Sequence, residues 1–89
     1  MPSYLVEVFV SEADATDRVA RDRATRRAAA ASTRAGTPIK FGRSIYVPGD
    51  EICLFSVDAL SVDDVERVAQ RAGLRLLRVV EALPREARR

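Results

Sequence analysis

The chain has no histidine and no tryptophan, one cysteine, one methionine, and only four prolines and four glycines in 89 residues. Without histidine it lacks the commonest metal ligand and the commonest acid–base catalyst. A single cysteine, Cys53, cannot build a disulfide framework. No uninterrupted apolar run exceeds four residues, far short of the roughly 18 needed to cross a membrane, so no membrane partner is expected. The opening Met1-Pro2-Ser3-Tyr4 has no basic region followed by an apolar stretch, so no signal peptide is read and the cytoplasm is the expected address. Glycine-rich dinucleotide and phosphate loops, paired C-x-x-C cysteines and a Ser/His/Asp set are also missing. No cofactor is expected.

What remains is a globular composition, 47% hydrophobic and 31% charged, of a size that suits one domain. Fifteen basic residues face thirteen acidic ones for a net charge of +2. That balance does not predict a nucleic-acid partner. Arg18, Arg21, Arg23, Arg26, Arg27 and Arg34 cluster, but Asp14, Asp17 and Asp22 are interleaved with them. The segment therefore reads as a solvated helix face before it reads as an anion-binding surface.

Tyr4 to Val10 is β-branched and aromatic around Glu7, and reads as a buried strand. Ser11 to Asp14 supplies cap-forming residues. Ala20, Ala24, Ala28, Ala31 and Ala35 then recur at helical spacing, predicting a helix over 15–35 with these alanines as its apolar stripe. Asp14 and Asp17 at its start and Arg34 at its end suit the helix dipole. Gly36 suits the position after the helix, and Pro38 blocks continuation. Ile39 to Val47 alternates like a strand with one covered face. Pro48-Gly49 predicts a type II turn with Gly49 at positive φ. Glu51 to Val57 is nearly continuous in apolarity and reads as a central strand, hairpin-paired to the one before it. Ser61 caps a second helix, with Asp64 three residues on. Its stripe is Val62, Val65, Val68, Ala69 and Ala72, and Gly73 ends it. Leu74 to Leu83 forms a fourth strand that Pro84 stops. Residues 1–84 thus make one domain, and 85–89 a polar tail.

Strand, helix, strand, strand, helix, strand is the ferredoxin-like α+β order: four antiparallel strands with both helices on one face and right-handed crossovers. If Val6, Val8, Val10 and Val79 point to the helices, then Leu5, Glu7, Phe9, Arg78 and Val80 point to the open face. The third strand has large apolar residues on both sides, Ile52 and Leu54 on one, Cys53, Phe55 and Val57 on the other. A wet face of that kind exposes a few hundred Å², more than soluble monomers usually show. At roughly 25 cal/mol per Å², covering it contributes several kcal/mol before the entropic cost of association. A homodimer stacked sheet on sheet is therefore expected. Glu7 and Arg78 would then sit inside or at the rim of the interface and need each other, water or a ligand.

Three blocks carry a resemblance: Arg43 to Phe55, Ala69 to Leu74, and Arg78 to Ala82. With the opening Pro2 to Glu7, they resemble a family of small bacterial proteins, some of them described as nickel-binding. The likeness covers nearly the whole chain except the first helix. It implies a ferredoxin-like protomer in a dimeric α/β-barrel. Nickel sites favour imidazole ligands, and a site here has only carboxylates and Cys53 to draw on, so no metal ligand is assigned.

Glu7 is the most informative polar residue. It either pairs with a strand neighbour such as Arg78 or Arg43, or is a buried acid serving as general base or ligand anchor between the sheets. Tyr46 packs its ring at the interface or donates to a ligand. Cys53 reads as a small buried hydrophobe, since nothing activates it as a nucleophile. The third strand lacks the basic-aromatic motif of RNA-recognition modules. The expectation is a non-catalytic homodimeric module holding a small organic ligand, with Glu7, Phe9, Arg43, Tyr46, Cys53, Phe55 and Arg78 around it. The alternatives are a cofactor-free enzyme acting on a small hydrophobic substrate through Glu7 or Tyr46, and nickel binding as implied by the resemblance.

Overall fold

The computed structural model describes residues 1–11 and 18–83. The elements are β1 (Ser3–Phe9), α1 (Arg18–Arg34), β2 (Ile39–Val47), β3 (Ile52–Ala59), α2 (Val62–Arg71) and β4 (Arg75–Ala82). The four strands form one antiparallel sheet in the order β2-β3-β1-β4. This is the ferredoxin-like α+β fold. The proposed cap around Asp14 and Asp17, the Pro84 stop and the tail over 85–89 lie outside the described residues.

Alternation along β1 places Tyr4, Val6 and Val8 in the core, with Val10 following them. The register sets Val6 opposite Phe55 and Val8 opposite Cys53, so these four side chains share a face. α1 packs over β2, and α2 over β4 and β3. Ala29, Val65 and Val68 join the strand residues in a single core cluster. Both helices therefore lie on the same side of the sheet.

Both helices end alike. Thr37 N–H donates to Ser32 O and Gly36 N–H to Thr33 O, while Leu74 N–H donates to Ala69 O and Gly73 N–H to Gln70 O. These are paired Schellman bonds, and both glycines take the positive φ that the motif requires. Ser61 caps α2 as its sequence suggests, accepting from Asp64 N–H at 3.3 Å.

Three local expectations need correction. The buried stripe of α1 is Thr25, Ala29 and Ser32, whereas Ala20 and Ala35 are exposed. The hydroxyls enter the core because Thr25 Oγ1 donates to Arg21 O at 2.8 Å and Ser32 Oγ to Thr37 O at 3.0 Å, which removes the cost of burying them. In α2, Val62 stays 37% exposed and the stripe narrows to Val65, Val68 and Ala69. The β2–β3 connection is a 3-10 turn over Pro48–Asp50, and the positive φ falls on Glu51 (54°) rather than on Gly49. Glu51 O then accepts from Val10 N–H at 2.9 Å, tying the turn to the end of β1.

A β-bulge shapes β2. Phe41 faces Val57 and Ser44 faces Phe55, so Gly42 and Arg43 together oppose Ser56. Arg43 N–H donates to Ser56 Oγ at 3.1 Å, and a Cβ on Gly42 would collide with that same oxygen. The carbonyls turned out by the bulge accept from Arg26, Gly42 O at 2.7 Å and Phe41 O at 3.4 Å. Arg26 also pairs with Asp22 at 2.9 Å. One helical arginine thus fixes α1 to the irregular edge strand.

Candidate functional site

The two-residue period of the strands divides the sequence-predicted site residues between opposite faces of the sheet. Glu7, Phe9 and Arg78 lie on the face without helices. Tyr46, Cys53 and Phe55 lie on the helix side: Cys53 and Phe55 are buried there, and Tyr46 packs against the same cluster. The expectation that all seven surround one space is corrected accordingly. Phe55 is core, its ring 5.5 Å from that of Phe41. Arg43 belongs to neither group; it sits exposed at the bulge.

On the uncovered face, residues opposite one another form rows across the sheet. One row runs Ile45, Leu54, Glu7, Arg78, and the next Val47, Ile52, Phe9, Arg75. Leu5 and Val80 face each other in a third. Ile45 is 55% exposed, and Leu5, Phe9, Val47, Ile52, Leu54 and Val80 are half-buried only by their neighbours. The Arg75 guanidinium lies over the Phe9 ring, 5.6 Å from its centroid. Glu7 is half-buried and, among the described residues, takes part in no ion pair or hydrogen bond. Arg78 stands directly opposite yet does not pair with it, which corrects the expected strand-neighbour salt bridge. β4 carries an extra residue beside this pair, since Glu7 faces Arg78 but Val8 faces Leu76. Among the described residues, Glu7 is thus an acid without an ion-pair partner, set between Leu54 and Arg78.

On the helix side, a cleft of about 340 Å³ opens between α1 and β2, lined by Arg18, Val19, Asp22, Ser44 and Tyr46. Arg18 lies over the Tyr46 ring, 5.3 Å from its centroid. Asp22 is neutralised by Arg26 and accepts from Ser44 Oγ at 3.3 Å. The Tyr46 hydroxyl is buried and has no hydrogen-bond partner among the described residues. Beneath the cleft is a void of about 10 Å³, walled by Arg18, Asp22 and Ser44 above and by Val8, Cys53 and Phe55 among others below. Burial pushes the Cys53 thiol above its ordinary range; Arg18 pulls it down and Asp22 pushes it up. The cleft thus brings one guanidinium, one carboxylate and two hydroxyl-bearing side chains together above a buried thiol.

Sequence reasoning reads Arg18 and Asp22 as a solvated helix face before an anion-binding surface, and gives Ser44 no role. Two signals point to them: Arg18 and Asp22 are one helical turn apart, and Ser44 and Tyr46 share a strand face. Among the described residues, no three of His, Cys, Asp and Glu converge, so they do not supply the nickel site that the resemblance implies. Nor is any described helix long and apolar enough to cross a membrane.

The chain matches no protein-family model. No curated protein matches it either. Among solved structures it is similar to the crystal structure of SCO4226 from Streptomyces coelicolor A3(2), with a TM-score of 0.70 at 18% identity, covering 96% of this chain and 99% of that one. At that identity the likeness is one of fold, and it extends over the whole ferredoxin-like domain.

Proposed function

We propose that the chain works as a homodimer, two copies stacked through the uncovered sheet face, enclosing a space for a small organic ligand around Glu7. The observation that carries this is the apolar face itself, with Leu5, Phe9, Ile45, Val47, Ile52, Leu54 and Val80 under no element among the described residues. Four strands about 4.8 Å apart and some seven residues long together present about 450 Å² per protomer in flat projection. Two copies bury about twice that, and more once side-chain relief is counted, which reaches the roughly 1,000 Å² of a specific interface. The same face carries both signs, Glu7 against Arg75 and Arg78, so a self-complementary pairing has partners for its charges.

Glu7 gives the enclosed space its chemistry. A carboxylate that pairs with no group among the described residues needs water, the second copy or a ligand once the face is covered. A hydrogen-bond donor or a cationic group on a small molecule meets that need. The test compares Glu7→Gln with the unaltered chain by light scattering and by native mass spectrometry of the protein as purified from cells. A dimer that keeps its mass but loses a co-purifying small molecule supports the reading. A variant that falls apart into monomers makes Glu7 a purely structural contact.

A further inference from the structure

In the cleft between α1 and β2, a guanidinium, a buried hydroxyl and a cavity lie together. We infer that this cleft binds a small organic monocarboxylate, with Arg18 as its anchor. The inference is independent of the sheet-face reading, because the two sites lie on opposite sides of the sheet.

Three observations carry it. First, the Arg18 guanidinium makes no ion pair or hydrogen bond among the described residues; it is held only by the Tyr46 ring, 5.3 Å away. The nearby acid, Asp22, is already satisfied by Arg26 at 2.9 Å and by Ser44 at 3.3 Å. Among the described residues nothing occupies the planar fork, whose geometry suits a carboxylate. Second, the cleft of about 340 Å³ has the volume of about ten water-sized groups, at the small end of ligand sites. Third, the Tyr46 hydroxyl is sealed from solvent without an acceptor, and an unsatisfied buried donor is costly. A ligand oxygen supplies that acceptor where the Tyr46 ring turns its hydroxyl into the cleft that the residue lines.

The surroundings narrow the class. Arg18 supplies one positive charge, and Asp22, which lines the same cleft, is itself paired with Arg26, so a single carboxylate matches the site better than a phosphate dianion. Val19, 61% exposed at the cleft wall, offers apolar contact to a short aliphatic or aromatic body. The buried Cys53 thiol below stays protonated and adds no competing charge.

Benzoate is the probe, titrated into the full-length protein and followed by amide chemical shifts and calorimetry. Saturable shifts at Arg18, Asp22, Ser44 and Tyr46 are expected, with no response to the neutral isostere benzamide. Arg18→Gln weakens benzoate about tenfold or more, the scale of a lost charge-assisted pair; Arg71→Gln, exposed on α2, leaves it unchanged, and Tyr46→Phe weakens it several-fold. Equal binding of benzamide, an Arg18→Gln affinity within twofold, shifts centred on Leu5 and Leu54, or no saturable shift at all would each overturn the inference. The shift map uses the unaltered chain, so it decides the matter even if a variant folds poorly.

Discussion

Glu7 lies directly opposite Leu54 in the β1–β3 register, one step along the strand from Val6 and Phe55, which face each other in the core. The single acid of β1 thereby stands among the apolar side chains of the uncovered sheet face. Both the strength of the sheet and the chemistry of that face follow from this alternation.

Leu54→Asp puts a second carboxylate beside Glu7 without touching the core. The expected outcome is a folded monomer: circular dichroism unchanged, and a dimer-to-monomer shift in sedimentation velocity. Like charges at an apolar interface cost several kcal/mol of association. A Leu54→Asp chain that still sediments as a dimer would place the interface elsewhere.

Phe55→Ala is expected to cost about 3–5 kcal/mol in urea unfolding, the range for emptying a buried aromatic site. Phe55 is 4% exposed and packs on Phe41. A loss below about 1 kcal/mol would show that the ring fills no part of the core.

Gly42→Ala forces a methyl group onto Ser56 Oγ at the β2 bulge. A loss of about 1–3 kcal/mol is expected from that overpacking. The double change Gly42→Ala with Ser56→Ala removes the colliding oxygen and recovers most of it, measured as the coupling in a double-mutant cycle. Simple additivity would mean that Ser56 is not what fixes the glycine.

Cys53 gives a pH signature. Its folded thiol titrates above the ordinary range because of burial, so the native state holds its proton at pH values where the unfolded chain has lost it. Stability from this group is complete below the unfolded thiol's value of about 8.5 and falls as pH rises past it. Urea midpoints between pH 8 and 10 should decline more steeply for the natural chain than for Cys53→Ala. Parallel profiles would mean that the thiol ionises as freely folded as unfolded.

Much of the fold is legible in the sequence because its signals are local. Ser61 with Asp64, Gly36 and Gly73 mark helix ends through bonds made within a few residues. Strand alternation around Glu7 assigns Val6 and Val8 to one face and Leu5 and Phe9 to the other. What escapes the sequence depends on contacts between distant segments. The α1 stripe shifts from the alanines to Thr25 and Ser32 because hydroxyls that bond to backbone carbonyls can be buried, which a hydropathy pattern does not register. The Gly42–Arg43 bulge depends on Ser56 and Arg26 together, and it flips the strand's parity before Ser44 and Tyr46. The candidate site was divided for a related reason: strand periodicity puts Cys53 and Phe55 on one face and Leu54 on the other, but only the register with β1 says which of them shares a face with Glu7.

The central claim is that one protomer covers half of its sheet and a second copy covers the rest. Multi-angle light scattering at micromolar concentration tests it most directly. The protomer mass is 9.8 kDa, and the account predicts a species of about twice that, as in a closed two-fold dimer. A single species at the protomer mass, stable to further concentration, would contradict it.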